Sequence, residues 1–295
     1  MNKNKKNRVG FIGLGIMGKP MVINLLKAGI DVYFYARKKT IISEIENIGG
    51  IFVPKISDIP NYANIIMTNL PKTNDVEKIV IGKHGLIGNL NRNTIVIDMS
   101  TISPERTIHI NDLLKMKKSY FLDAPVSGGE AGAISGKLSI MVGGNIKAFH
   151  QAKKILSIIG KNVLYIGKSG SGQICKACNQ ILVAQTIRSI SEIITIAKKS
   201  KIKPSIVRNA LLAGYANSKI LEIHGKRMID SSYKPGFKLS LHNKDLKIAK
   251  KLVKSLGLSL SGLNQTQKIM NFAEKEGLSE LDSSAIHSIL EKTYK

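Results

Sequence analysis

The spacing of hydrophobic residues changes once along this chain, near Gly172, and this change limits the possible folds more than any other feature. Before Gly172, short β-branched runs alternate with helix-like segments such as Pro20–Ala28 and Pro104–Met116. Strands that alternate with helices are typical of βαβ units, which build a mainly parallel sheet. The predicted strands are Val9–Ile12, Val32–Tyr35, Ile65–Asn69, Thr94–Asp98, Tyr120–Asp123, Ser139–Val142 and Val163–Ile166.

After Gly172 the strand pattern ends, and helical spacing continues to Tyr294. The stretch from Gln173 to Ser200 is apolar on nearly all sides, which predicts a buried helix about 40 Å long. We therefore predict an α/β fold: a Rossmann-type, doubly wound parallel sheet in residues 1–168, followed by an all-α domain for substrate binding and oligomerisation in residues 169–295. The later helices are separated at Pro204, Gly214, Pro235-Gly236 and Gly257.

A G-x-G-x-x-G pattern follows the first predicted strand and opens an amphipathic helix, which is the context that dinucleotide binding requires. The first glycine permits the tight turn, the second lets the backbone approach a pyrophosphate, and the third lets helix and strand pack closely. The N-terminus of the helix adds N–H donors and a positive dipole end. The alternative is a plain structural turn. The predicted cofactor-binding residues here are Gly13, Leu14, Gly15, Ile16, Met17 and Gly18.

The end of the second strand bears on the choice between NAD and NADP. An acid at this place would bind the ribose 2′-hydroxyl and repel a 2′-phosphate. The run from Tyr35 to Thr40 contains no acid, and Arg37 and Lys38 can pair with a phosphate. This predicts NADP, with NAD as the alternative, although the run is also one more basic stretch in a basic chain.

Lys176 is a charged residue in the otherwise apolar helix, with Asn179 and Gln180 on the same face three and four residues later. A buried lysine loses hydration, so its pKa is expected to fall and it can exchange protons near neutrality. The alternative is a lysine near a helix start whose amine reaches solvent.

A second candidate site follows the predicted strand that ends at Asp123. The turn Ser127-Gly128-Gly129 offers a hydroxyl and free N–H groups, which suit a carboxylate. The same composition is also common in ordinary turns.

Five stretches in this order resemble the β-hydroxyacid dehydrogenase family, which includes 3-hydroxyisobutyrate dehydrogenases. Within that family the chain resembles the tartronate semialdehyde reductase branch. The resemblance covers nearly the whole chain. The stretches are Val9 to Met21, Asp98 to Pro104, Asp123 to Gly129, Gly172 to Gln180, and Lys234-Pro235-Gly236-Phe237 with Leu241 to Leu246.

The resemblance implies that Lys176 and Asn179 form the catalytic pair and that Asn179 and Ser127-Gly128-Gly129 hold the substrate. It implies that four more residues touch the cofactor: Leu70, Pro71, Thr101 and Lys244. The implied reaction moves a hydride between NAD(P)H and a small semialdehyde or 3-hydroxy acid, with Lys176 as the proton donor and no metal. Many relatives carry an acid or Asp-Arg where this chain has Ala36-Arg37, which again favours NADP.

The implied substrate is 2-hydroxy-3-oxopropionate, reduced to glycerate. The alternatives within the family are 3-hydroxyisobutyrate, glyoxylate and succinic semialdehyde. The formal net charge of +25 suggests an alternative function of a different class, that of a non-catalytic NADP-binding or nucleic-acid-associated protein. The basic residues are spread along the chain without a nucleic-acid-binding signature, so no specific nucleic acid is expected.

The remaining sequence features do not indicate a further chemical activity. Cys175 and Cys178 form a C-x-x-C pair, but no second pair completes a zinc site, and their segment is helical. No apolar run is long enough for a transmembrane helix, and the basic N-terminus lacks the pattern of a signal peptide, so the cytoplasm is the expected location. The long apolar helix predicts a homo-oligomer, a dimer or a tetramer.

Overall fold

A computed structural model describes residues 8–293 of the chain. The chain divides into two compact units, the first ending at Lys176 and the second beginning at Ala177. This division falls inside a long helix, whereas the predicted boundary between residues 168 and 169 lies just before that helix begins. The boundary stays a prediction.

The first unit contains one sheet, which is nine-stranded within the described residues. Each predicted strand is present, one with the same ends (Tyr120–Asp123) and the others with ends shifted by at most about three residues, and two short strands (β3 and β7) are added. The strands are β1 Arg8–Ile12, β2 Asp31–Tyr35, β3 Ile51–Phe52, β4 Ile65–Thr68, β5 Ile95–Asp98, β6 Tyr120–Asp123, β7 Val126–Ser127, β8 Leu138–Gly144 and β9 Gly160–Gly167.

The strand order is β3-β2-β1-β4-β5-β6-β8-β7, with β9 also paired to β8. The part from β3 to β6 is parallel and has the order of a dinucleotide-binding sheet, with its switch point between β1 and β4. β8 runs antiparallel to β6 and β7 but parallel to β9. The prediction of a mainly parallel sheet is therefore confirmed.

Helices cover both faces of this sheet, because alternate strand residues point to opposite sides. In β1, Phe11 belongs to one buried hydrophobic cluster and Ile12 to another. The helices of the first unit are α1 Gly18–Lys27, α2 Lys39–Glu46, α3 Ile59–Tyr62, α4 Thr73–Val80, α5 Pro104–Met116, α6 Gly129–Ile134 and α7 Ile146–Ile159. Short 3-10 turns occur at Ile56–Asp58 and Leu86–Asn89.

The second unit is helical, as the loss of strand patterning predicts, and its described residues contain no strand beyond one isolated bridge between Lys238 and Asp282. A separate hydrophobic core, which includes Ile187, Leu246 and Met270, holds the helices together. The helices are α8 Ser171–Lys199 (which contains the division between the units), α9 Pro204–Leu212, α10 Lys219–Ile229, α11 Leu239–Ser255, α12 Ser261–Lys275 and α13 Ile286–Thr293, with a 3-10 turn at Ser283–Ala285.

The expectation that α8 is buried on all sides is wrong for one face. Ile187 and Ile194 are buried in the core of the second unit, but Leu182 is 67% exposed and Ile196 is 63% exposed. A helix packed at the edge of a helical unit buries only one stripe, so its other apolar face meets solvent on the single chain. Although α8 is long, neither it nor any other helix in residues 8–293 is apolar enough to cross a membrane.

Candidate active site

The turn between β1 and α1 has the geometry that a dinucleotide needs. Gly13 has a φ of +101°, and a Cβ atom there would lie 2.2 Å from the carbonyl oxygen of Asn69. A Cβ on Gly18 would lie 2.0 Å from the carbonyl oxygen of Gly13, so only glycine lets the helix begin here. By contrast, a Cβ on Gly15 would meet nothing within 4 Å. Exposed, open backbone at Gly15 fits the close approach of a pyrophosphate.

The other predicted residues of this turn differ in exposure. Leu14 is buried in the core of the sheet, whereas Ile16 is exposed. Met17 is half-buried, packs against that core and immediately precedes α1. Ile16 is therefore accessible to a ligand at the turn, and Leu14 fixes the turn by packing into the hydrophobic core of the sheet.

The end of β2 leads into a basic, exposed segment. Arg37 and Lys38 are both exposed, and Lys38 immediately precedes α2. No side chain caps the first turn of α2, and that turn contains no acid. Free N–H groups at a helix start, beside two exposed cations, fit a phosphate group at this position.

A hydrogen-bonded cluster lies at the carboxyl ends of β4 and β5. Oδ1 of Asp98 accepts hydrogen bonds from the hydroxyl of Thr68 at 2.8 Å and the hydroxyl of Ser100 at 2.6 Å. The Ser100 hydroxyl in turn accepts the N–H of Leu70 at 2.8 Å. The cluster therefore fixes the backbone beside the predicted cofactor residues Leu70, Pro71 and Thr101. Burial raises the pKa of Asp98 to about 7, despite the opposing effect of these hydrogen bonds.

Asp123, at the end of β6, is buried and lies beneath the start of α8. Its two carboxylate oxygens accept the N–H groups of Gly170 at 2.9 Å and Gln173 at 3.0 Å. Burial raises the pKa of Asp123 to about 6, while these backbone hydrogen bonds act in the opposite direction. The strand end is thus tied to the helix that carries Lys176.

The predicted substrate turn begins at β7. Ser127 is half-buried, and Gly128 and Gly129 are exposed, with φ values of +131° and +60°. These left-handed conformations favour glycine, so the two glycines let the chain turn here.

Lys176 lies in the second turn of α8 and is 7% exposed, so the burial expected from the sequence is confirmed. Cys175 and Cys178 lie on either side of it along the same helix and are not in a disulfide, the first half-buried and the second exposed. A lysine residue buried to this degree needs an interaction that stabilises its charge or a function that uses it.

In the second unit, a series of side-chain hydrogen bonds and an ion pair connects the predicted residues Asn179 and Lys244. The Asn179 amide donates to Oε1 of Gln180 at 2.8 Å, and the Gln180 amide donates to Oδ2 of Asp245 at 2.7 Å. The ammonium of Lys244 lies 3.0 Å from Oδ1 of Asp245. Nε2 of His242 also lies 3.3 Å from the carbonyl oxygen of Gln180. The structure therefore brings α8 and α11 together through these side chains.

Asp282 organises the Lys234-Pro235-Gly236-Phe237 stretch. Its buried carboxylate accepts the N–H groups of Gly236 at 3.0 Å and Phe237 at 3.2 Å and also pairs with Arg227. Burial alone would raise the pKa of Asp282, but hydrogen bonds from His224 and Ser284 hold it well below its usual range. A charge held in this way keeps the loop in one conformation.

Several of these polar residues were not assigned a role from the sequence. All of them except Asp282 lie inside the stretches that carried the family resemblance, yet no spacing rule distinguishes a structural polar residue there from a functional one. Their signal is polarity at positions that the hydrophobic pattern predicts to be buried, which requires a partner. They are Asp98, Ser100, Asp123, Gln173, Gln180, Asp245 and Asp282.

Two family models match the chain. Residues 8–167 match the NAD-binding domain of 6-phosphogluconate dehydrogenase. Residues 170–290 match the NAD-binding domain of NADP-dependent 3-hydroxyisobutyrate dehydrogenase. Together they account for nearly all of the described residues.

Curated relatives match over the whole chain. The 2-hydroxy-3-oxopropionate reductase of Escherichia coli K12 is 40% identical over 96% of this chain and 97% of its own length. The 2-(hydroxymethyl)glutarate dehydrogenase of Eubacterium barkeri is 31% identical over 98% of this chain and 96% of its own. Among solved structures, the 3-hydroxyisobutyrate dehydrogenase of Mycobacterium tuberculosis, with L-serine, superposes with a TM-score of 0.88 at 27% identity, covering 96% of this chain and 99% of that one.

Proposed function

Because this chain belongs to the β-hydroxyacid dehydrogenase family of NAD(P)-dependent oxidoreductases, we propose that it reduces 2-hydroxy-3-oxopropionate to glycerate. The relative from Escherichia coli that is named for this reaction is 40% identical, and other relatives are named for different hydroxy acids. These relatives are similar to the chain but are named for different substrates, so the substrate is our proposal.

The observation that carries the proposal is Lys176, a lysine residue that is 7% exposed on an otherwise largely apolar helix, one turn before Asn179. A structural lysine would be expected to extend its amine to solvent. A largely buried lysine, on the same helix face as a side chain that can bind substrate oxygen atoms, fits a proton donor.

In the proposed reaction, the ammonium of Lys176 gives a proton to the carbonyl oxygen as that oxygen gains negative charge. The hydroxyl of Ser127 and the N–H groups of Gly128 and Gly129 hold the substrate carboxylate, and Asn179 orients the substrate beside Lys176. A bound nicotinamide dinucleotide supplies hydride transfer. The protein contributes by holding the reacting groups in a fixed geometry, which lowers the barrier without new covalent chemistry.

We propose NADPH rather than NADH as the physiological reductant, with both accepted. The exposed side chains of Arg37 and Lys38, and the uncapped start of α2, support a 2′-phosphate at the end of β2. The six residues of the turn from Gly13 to Gly18 hold the pyrophosphate. Leu70, Pro71, Thr101 and Lys244 contact the remainder of the cofactor.

The test is a panel of small semialdehydes and hydroxy acids with the purified protein and both cofactors. We expect the highest kcat/KM with 2-hydroxy-3-oxopropionate and NADPH. Glyoxylate and succinic semialdehyde serve as the competing substrates for reduction, and 3-hydroxyisobutyrate, which is already an alcohol, is assayed for oxidation with the oxidised cofactors. A preference for one of these would refute the substrate while leaving the family intact, and inactivity with all of them would refute the catalytic proposal.

We also propose that the chain self-associates through the second unit. The exposed apolar side chains Leu182 and Ile196 of α8 support a homo-oligomer, since such a face is normally covered. Sedimentation at micromolar protein tests this, and a monomer would refute it. A cytoplasmic location stays part of the proposal and is tested by fractionation of the native host.

A further inference from the structure

The start of helix α8 is held by a side chain from another element. Asp123 lies 47 residues before Gly170, and its carboxylate accepts the N–H of Gly170 through Oδ1 and that of Gln173 through Oδ2. The first turn of a helix leaves its N–H groups without helical partners. One carboxylate from strand β6 therefore satisfies two of these groups and places a negative charge at the positive end of the helix.

The fit around this carboxylate leaves little freedom. A Cβ atom on Gly143 would lie 2.7 Å from Oδ1 of Asp123 and 2.8 Å from the backbone nitrogen of Gly172. A Cβ on Gly172 would lie 2.4 Å from the carbonyl oxygen of Met141. Strands β6 and β8 and the first turn of α8 thus meet at backbone contact, where even a methyl group would have to displace something.

Gln173 provides a second connection from the same turn of the helix. Its side-chain Oε1 accepts the N–H of Ile102 at 3.1 Å, and its Nε2 donates to the carbonyl oxygen of Ser100 at 2.8 Å. These two backbone groups lie on either side of Thr101, which is one of the proposed cofactor contacts. The residue whose backbone is held by Asp123 therefore also holds the loop that carries Thr101.

Lys176 follows Gln173 by three residues, so the two side chains are neighbours on one face of the helix. Each residue adds about 100° of rotation and 1.5 Å of rise, so a small change in the phase or tilt of the first turn moves the amine appreciably. We propose that Asp123 and Gln173 are positioning residues, which together hold the amine of Lys176 at a fixed place relative to the Thr101 loop. This inference rests on the proposed role of Lys176.

Asp123 is not itself a catalytic residue. It is fully buried, and both of its oxygens are engaged by backbone N–H groups, so it has no route to a substrate. An effect of Asp123 on turnover would have to act through the helix. A merely structural role would instead lower stability and leave turnover unchanged.

The test compares Asp123→Asn with Asn145→Ala. An amide at position 123 would keep one acceptor and turn an NH₂ group toward an N–H donor, which removes one of the two bonds. Asn145 is the matched control, because its side chain also caps a helix start, accepting the N–H groups of Lys147 at 3.0 Å and Ala148 at 3.1 Å. The helix that it caps, α7, carries none of the proposed site residues.

Two readouts are needed besides melting temperature. One is steady-state kinetics together with the cofactor dissociation constant, measured by fluorescence. The other is competitive acetylation with acetic anhydride, in which mass spectrometry follows Lys176 against exposed lysines of the same molecule. The acetylation reports on the position of the amine whether or not that amine is catalytic, so it separates this inference from the proposed function.

For Asp123→Asn we expect kcat to fall by about 10–100-fold, the effect of misplacing a catalytic group by about 1 Å. Cofactor affinity should stay within about twofold, and acetylation of Lys176 should rise severalfold as the amine becomes accessible. Asn145→Ala should lower only the melting temperature. If Asp123→Asn changes neither turnover nor acetylation, the inference is wrong.

Gln173→Met keeps the test valid if Asp123→Asn does not fold, because it removes the side-chain bonds to the Thr101 loop and leaves the backbone bond to Asp123 intact. We expect the same direction of change in kcat and acetylation. Wild-type values for both in this variant would also overturn the inference. If acetylation of Lys176 responds as expected in these variants but the separate variant Lys176→Met is fully active, the proposed function alone is refuted.

Discussion

Asp98 and Asp123 occupy paired positions at the ends of the neighbouring parallel strands β5 and β6, yet their carboxylates have different surroundings. Both oxygens of Asp123 are hydrogen-bonded to the start of α8, whereas Oδ2 of Asp98 is buried without a hydrogen-bond partner. The difference agrees with the pKa values, which burial raises to about 7 for Asp98 and about 6 for Asp123.

This arrangement predicts a pH-dependent effect of Asp98→Asn on stability. The folded state holds the proton of Asp98 more tightly than the unfolded state, so wild-type stability is lost as the pH rises from the usual value of 3.8 toward about 7. The loss is at most about 1.4 kcal/mol per pH unit. Asparagine mimics the neutral acid, so the melting temperature of the variant relative to wild type should increase from about pH 4 to about pH 7 and level off above it. A difference that is constant with pH would contradict this.

Gly15→Ala and Gly18→Ala should separate binding from folding. A methyl group at Gly15 meets nothing within 4 Å, so the variant should melt like wild type but bind either dinucleotide at least about tenfold more weakly, because the methyl blocks the pyrophosphate. A methyl group at Gly18 would lie 2.0 Å from the carbonyl oxygen of Gly13. That variant should lose about 1–3 kcal/mol of stability. Calorimetry of folding and of cofactor binding measures both, and unchanged cofactor affinity in Gly15→Ala would exclude close approach at this turn.

Arg37→Ala should weaken NADPH binding selectively. Loss of a charge-assisted contact costs about 1–3 kcal/mol, and NADH, which has no 2′-phosphate, should be nearly unaffected. Ala36→Asp should shift the preference toward NADH by adding a ribose partner and repelling the phosphate. Dissociation constants for both cofactors measure this, and equal losses of both with Arg37→Ala would remove Arg37 from the proposed role.

Lys176→Met should fold at least as well as wild type and be nearly inactive. Replacing a largely buried lysine by an apolar residue of similar length should cost little stability, whereas a lost general acid lowers kcat by about 10²–10⁴. Lys176→Arg should not restore activity, because a guanidinium does not release its proton at working pH. The pH profile of kcat/KM should lose one ionisation in the methionine variant.

A methionine variant that kept more than about a tenth of wild-type turnover, a barrier change under 1.4 kcal/mol, would end the case for Lys176 as the proton donor. The melting temperature of the same preparation is the control, since it shows that the inactive protein is folded. Cofactor affinity should be unchanged, because the proposed cofactor contacts lie on other residues.

The sequence by itself determined the class of fold. The alternation of β-branched runs with helical segments before Gly172, and its loss afterwards, are local patterns, and local patterns are set by backbone geometry and by which side of an element meets the core. The glycine turn could also be predicted from the sequence, because Gly13 must adopt a positive φ and Gly18 must lack a side chain. The burial of Lys176 followed from its apolar neighbours along the helix.

Tertiary structure alone decided which distant groups meet. The contacts of Asp123 with Gly170 and of Gln173 with Ser100 join residues 47 and 73 positions apart, and the antiparallel direction of β8 has no local signature. The sequence also could not show that Leu182 and Ile196 stay exposed while Ile187 is buried, since all three are apolar. Periodicity reports what an element can bury, but the partner that buries it, or that satisfies a buried polar atom, is chosen only when the whole chain packs.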